Sequence, residues 1–409
     1  MDSHTVPALT GSTPDAARAD PGESAALADL VQAIRQLEGL TEQVGPVALP
    51  DGTCDRAGDL VAAVCRELEV PLRFDAPATG RGQDHAVTAL ATEIHRTQRA
   101  DALAGIHPAD LPDRAAQARQ IRDTEDAWCR RHTVRRPDGT SITVAEVGAP
   151  DAPCVLLSSA CAMSYRLTLP WLRALGGTYR CLVPQTRGTS ERIEDPEDFD
   201  RRGYGVVEQA GDLVAVIEAL AAGPVHLMGL CGGAVPAMVV AADHPAAVSS
   251  MSMWHADLEL GGEADKSDHQ VNLRAVLDLA GESRTTAAWM RDRLTSGPMT
   301  GVPEGIGPLV VRPYARDELF YRYAKLTAAT MHWDSRPVAN RVNQPCLIVT
   351  SKDDHTAHPA GSLRLAQILP AARLVVADHG THLDAFNATS EQVSSLLSFL
   401  DRPTGAGFT

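Results

Sequence analysis

The sequence predicts an α/β fold, a mostly parallel sheet flanked by helices, and two observations carry that expectation. Short apolar runs of strand length alternate with amphipathic runs of helical period from Cys154 to Leu400, the pattern of strands that return through crossover helices. One of these strands runs into Gly229-Leu230-Cys231-Gly232-Gly233 and then into an apolar helical pattern ending at Ala242. Such a strand-turn-helix junction needs glycine where the backbones crowd.

Taken in order, residues 1–25 are rich in Pro, Gly, Ser, Asp and Ala. They lack the apolar surface that offsets ordering entropy and read as a flexible tail. Leu27, Leu30, Val31, Ile34 and Leu37 then share one helical face, Leu60, Val61, Val64 and Leu68 repeat the pattern before Pro71, and Val87, Leu90 and Ile94 form a third set. Residues 26–126 therefore read as a helical region. Residues 127–405 read as the α/β domain, opening with two extended runs around Pro137-Asp138-Gly139, a hairpin signal. Strands are expected at 154–157, 181–184, 225–228, 248–254, 346–350 and 374–377, with helices at 169–175, 204–222 and 391–400. Between about 256 and 338 helical segments and loops break the alternation, as an inserted cap over the strand ends would.

The composition excludes several classes. With 409 residues, 44% of them hydrophobic, the chain can bury a full core. No apolar stretch approaches the roughly 20 residues of a membrane-spanning helix, and the N-terminus lacks the basic start and apolar run of a secretory signal. A cytoplasmic protein with no membrane partner is expected. Eight cysteines are scattered without a Cys-x-x-Cys pair, which argues for free thiols over a disulfide framework or a zinc site. A net charge of -15 without a basic cluster argues against nucleic acid. No phosphate loop or dinucleotide fingerprint is present, so no cofactor and no metal are expected.

The Gly-x-Cys-x-Gly segment is the most informative. A side chain held on a strained turn between strand and helix is thrust out for attack, and a cysteine at a helix N-terminus is favoured as thiolate. A free cysteine is more often a small buried hydrophobe, but the flanking glycines favour the chemical role for Cys231. The segment resembles the nucleophile elbow of the α/β-hydrolase fold, with cysteine where serine is usual. That fold carries nucleophile, acid and histidine in this chain order. The resemblance implies Asp354 as the acid, from Ser351-Lys352-Asp353-Asp354 after a strand, with Asp353 as runner-up. It implies His382 as the histidine, from Asp378-His379-Gly380-Thr381-His382 after the next strand, in preference to His379. The stretch from Val183 to Phe199 is similar to the family's strand and Arg-Gly-x-x-Ser loop, with Gln185 where Asp is usual, and the helix carrying Asp212-Leu213 is also familial. Ser158-Ser159-Ala160-Cys161 stands where His-Gly-x is usual; the resemblance implies the backbone N–H groups of Gly232 and Ala160 as oxyanion donors. Gly229–Ala234 and Lys352–Pro359 resemble segments of polyhydroxyalkanoate synthases, which implies an acyl-thioester donor.

The mechanism expected from these residues has His382, oriented by Asp354, taking the proton of Cys231 as it attacks an acyl group. An acyl-Cys stays activated, so the first expectation is an acyltransferase that moves an acyl group from coenzyme A or an acyl carrier protein to an amine or alcohol. The alternative is a thioesterase or hydrolase that uses water, and a non-catalytic scaffold is a minor third. Trp254, His255, Trp289, Met290, His332 and Trp333 are the candidates for lining a small-molecule acyl pocket, although such residues more often serve packing.

Overall fold

The computed structural model describes residues 21–36, 58–70, 103, 106–189, 196–262, 265–296 and 305–401, together with the backbone of 47–48 and 72–73. Its central feature is an eight-stranded sheet: β1 (Arg130–Arg135), β2 (Ser141–Val147), β3 (Cys154–Ser158), β4 (Arg180–Pro184), β5 (Val225–Leu230), β6 (Val248–Trp254), β7 (Cys346–Ser351) and β8 (Ala372–Ala377). The spatial order is β1-β2-β4-β3-β5-β6-β7-β8. β1 and β2 form the expected hairpin, Gly139 taking the left-handed φ of +85° that its turn requires. β2 pairs antiparallel with β4, and all the remaining pairs are parallel. All six residues of the central β5 are buried, as expected of a parallel strand covered on both faces.

Among the described residues three α-helices precede the sheet: α1 (Pro21–Arg35), α2 (Gly58–Glu67) and α3 (Leu111–Trp128). Leu27, Leu30, Val31 and Ile34 of α1 pack on Leu60, Val61 and Val64 of α2. α1 begins inside the stretch expected to be a tail, because proline is tolerated in a first turn and Glu23 there suits the helix dipole. Residues 1–20, Leu37 and the third set Val87, Leu90 and Ile94 lie outside the described residues.

After β3 comes α4 (Leu169–Leu175), after β4 come α5 (Pro196–Arg202) and α6 (Val206–Leu220), and after β5 comes α7 (Ala234–Asp243). Between β6 and β7 lie α8 (Asp268–Glu282), α9 (Arg284–Thr295), α10 (Gly307–Val311), α11 (Asp317–Met331) and α12 (Arg336–Ala339). α13 (Pro359–Ile368) and α14 (Ser390–Leu400) follow β7 and β8. One face of the sheet is covered through Leu213, Val235, Met238 and Leu365, from α6, α7 and α13. The other is covered through Trp171, Leu172, Leu396 and Phe399, from α4 and α14. Of the helices between β6 and β7, α8, α9 and α11 share a separate core of Leu277, Ala280, Ala287, Phe320 and Ala324. Among the described residues no helix is long and apolar enough to cross a membrane.

Candidate active site

The site begins where β5 ends. Cys231 has φ +52°, a left-handed conformation that L-residues rarely adopt, and Cys231–Gly233 form a short 3-10 turn leading into α7. A Cβ on Gly229 would lie 2.5 Å from Ala234 Cα, and one on Gly233 would lie 2.2 Å from the carbonyl oxygen of Ser159 and 2.3 Å from that of Ser158. Those contacts explain both glycines: the turn is pressed against the chain on either side of the cysteine. They also set Gly232 beside the loop that carries Ala160.

That loop is secured by residues after β4. Gln185 accepts the N–H of Tyr165 at 3.0 Å and donates to the carbonyl of Met163 at 2.8 Å. Thr186 Oγ1 accepts the N–H of Ala162, another residue at positive φ. The glutamine in the usual aspartate position thus holds the loop bearing Ala160. Arg187 makes two bonds to the buried Asp212, at 2.7 and 2.6 Å, which ties the Arg-Gly loop to α6.

Asp354 follows β7 and is 1% exposed; His382 follows β8 and is 7% exposed. Nδ1 of His382 lies 3.0 Å from Oδ2 of Asp354. Asp354 Oδ1 accepts the N–H groups of Thr356 and Ala357 at 2.9 and 2.8 Å. Ser351 Oγ, at the end of β7, donates to the carbonyl of Gly380 at 2.7 Å and links the two loops. Burial works against the ionised Asp354, but hydrogen bonds from His255 and His382 outweigh it and hold the carboxyl well below the usual range. Burial likewise works against protonated His382, yet the facing Cys231 sulfur, together with hydrogen bonds to Asp354 and Cys231, holds it well above its usual value. With Nδ1 on Asp354, Nε2 is the nitrogen left for Cys231. The runners-up are elsewhere: Asp353 pairs with His379 at 3.0 Å, and both are exposed.

The expected pocket residues divide. His255 is at the site, but on the carboxylate: its Nδ1 lies 2.8 Å from Asp354 Oδ2. Trp254 is fully buried, edge-on to Trp171 with ring centroids 4.8 Å apart, so it is a core residue. Trp289 on α9 is 61% exposed and faces solvent. Trp333 packs on the sheet core, Met290 lies in the core between α9 and α11, and His332 pairs at the surface with Asp278. A tryptophan's sequence position does not reveal which way its ring turns. Sequence reasoning also missed Thr330, from α11. A Cβ on Gly232 would lie 3.3 Å from its Oγ1 and 3.5 Å from Cys161 Sγ. Cys161 is buried; desolvation and the charge of Cys231 push its thiol up to about 12. It is a packed neighbour, not a second reactive thiol.

Among the described residues the cluster of His, Cys, Asp and Glu donor atoms found is that of His255, Asp354 and His382, all within 4.8 Å of one another. The hydrogen bonds among the three account for that closeness.

Comparison with known proteins agrees with this architecture. The chain is 27% identical over 263 residues to an Agrobacterium fabrum protein that carries the name carbamate hydrolase RutD, covering 61% of this chain and 94% of that one. A Stutzerimonas stutzeri protein of the same name is 23% identical, covering 63% and 94%. Among solved structures, the enol-lactonase of Burkholderia xenovorans superposes with a TM-score of 0.51 at 20% identity, covering 64% of this chain and 97% of that one. An esterase of Exiguobacterium antarcticum gives 0.53 at 17% identity, covering 66% and 99%. Residues 154–395, more than half of the chain and the span that holds the elbow, Asp354 and His382, match the model of the alpha/beta hydrolase family, and the chain belongs to that family.

Proposed function

We propose that this protein hydrolyses a small acyl substrate through a covalent acyl-Cys231 intermediate, with His382 as general base and Asp354 orienting it. The observation that carries the reading is the buried Asp354–His382 pair, hydrogen-bonded onward to a cysteine at positive φ. His382 Nε2 takes the thiol proton as sulfur attacks the acyl carbon. The developing oxyanion is met by the N–H groups of Gly232 and Ala160, whose loops are pressed together. His382 then protonates the leaving group. Water enters, loses a proton to His382, and displaces the sulfur to release the acid.

Water replaces the amine or alcohol acceptor expected from the sequence. Relatives of full hydrolase-domain length carry hydrolase names, for a carbamate and an enol-lactone among others. The thioester-transfer expectation, by contrast, rests on two short motif likenesses. Carbamates, lactones and activated esters are the substrate classes to try first, with no cofactor required by these steps.

The test incubates the full chain with a panel of such substrates and of acyl thioesters, and follows both intact mass and released acid. An adduct on Cys231 that decays to free acid at a rate unchanged by added amines and alcohols supports hydrolysis. Acid release that falls as an acceptor product rises would return the assignment to transfer.

A further inference from the structure

Asp354 carries two imidazoles, not one. Nδ1 of His255 and Nδ1 of His382 lie 2.8 and 3.0 Å from the same oxygen, Oδ2, and the rings meet at right angles with centroids 5.9 Å apart. An ionised carboxylate only accepts hydrogen bonds, so both Nδ1 atoms donate. A nucleophile, histidine and acid need one imidazole on the acid, and His255 is in excess of that. It is 3% exposed, and it is held there at the strained φ of +47°, its own N–H bonded to the carbonyl of Val349. Side chains held at such cost concentrate where geometry serves function.

We infer that His255 is a positioning residue that divides the charge of Asp354 between two imidazoles, and so lets His382 give up its proton once Cys231 is acylated. The inference rests on the hydrolytic reading above. Before acylation the Cys231 sulfur faces His382 and favours its protonated form. Afterwards the leaving group has carried that proton away, the sulfur belongs to a neutral thioester, and Asp354 alone sets how firmly His382 holds a proton taken up from solvent. A carboxylate aimed wholly at His382 would keep that proton in place and leave water without a base. A second N–H on Oδ2 weakens the hold. Water's oxygen then bonds to the acyl carbon as its proton passes to His382 Nε2. The C–S bond breaks, His382 returns the proton to sulfur, and the acid leaves. In either protonation state His255 acts in this direction, since its N–H draws on the shared charge and a positive ring would repel a second cation. The titratable groups facing His382 are Cys231 at the elbow, Asp354 after β7, His255 after β6 and His269 on α8, the last also facing Asp257.

Protein carrying Cys231→Ala, which takes the facing thiol away from His382 as acylation does, is titrated by NMR of the His382 ring nitrogens. Adding His255→Leu is expected to raise the His382 midpoint by about one pH unit. His255→Asn, whose amide N–H replaces Nδ1–H and which tolerates a left-handed backbone, is expected to restore most of it. With Cys231 intact, the same order should appear in the pH dependence of deacylation of an activated ester. His255→Leu should slow deacylation about tenfold below the midpoint and change the acylation burst much less. If the leucine variant does not fold, His255→Gly, free of the backbone strain, takes its place in both measurements. An unshifted His382 midpoint overturns the inference. A shifted midpoint with no acyl adduct on Cys231 keeps the charge division and removes the nucleophile proposed above; an adduct with an unshifted midpoint does the reverse.

Discussion

Asp354 meets His382 at 3.0 Å in the protein interior, whereas its chain neighbour Asp353 meets His379 at the same distance in solvent. Two adjacent acids and two nearby histidines thus sort into one buried pair and one exposed pair. The buried pair is the one that can act electrostatically, because solvent screens the other. Asp354→Asn is expected to lower kcat/KM on the order of 10³- to 10⁴-fold by orienting His382 wrongly, and Asp353→Asn less than about twofold. Steady-state kinetics of the two variants check this, and equal losses would undo the assignment.

Cys231→Ala should remove turnover by about 10⁴-fold or more while leaving the fold intact, since the side chain is only half-buried at the start of the turn and alanine deletes a single atom. Circular dichroism and the activity assay are read together. A folded variant with ordinary activity would take the nucleophile away from this residue.

Gly233→Ala should destabilise the protein by about 3 kcal/mol. Its Cβ would come within 2.3 Å of two backbone carbonyl oxygens, which cannot swing aside as a side chain could. Gly177→Ala, where nothing lies within 4 Å, is the control and should stay within about 0.5 kcal/mol. Urea unfolding of both separates close backbone approach from a general intolerance of alanine.

His226 on β5 is buried between Ser250 Oγ at 2.8 Å and Ser252 Oγ at 2.9 Å, and burial lowers it from 6.5 to about 3. The unfolded chain therefore binds a proton below about pH 6.5 that the folded chain refuses until about pH 3. The stability due to neutral burial is fully present above that window and is lost as pH falls through it, at about 1.4 kcal/mol per pH unit. His226→Gln should flatten the acid side of the stability curve by about one proton's slope, whatever its effect at neutral pH. Urea midpoints between pH 8 and pH 5 give that slope, and parallel curves for the two proteins would contradict it.

What the sequence determined by itself was local. Apolar runs with a strand's length or a helix's period placed all eight strands of the sheet, because burial on one or two faces imposes its own spacing on neighbouring residues. The glycines around Cys231 announced the elbow because a tight turn constrains positions two residues away, within reach of a motif. The tertiary structure decided everything that depends on which way a side chain faces. Asp354 finds His382 across 28 residues and His255 across 99; the likeness of its loop favoured it over Asp353, but only the fold buries it against both rings. Trp254 and Trp289 looked alike as pocket walls, yet one fills the core and the other lies in water. Such pairings are made by contacts between distant segments, whose energies favour one arrangement only after the sheet and helices have brought those segments together.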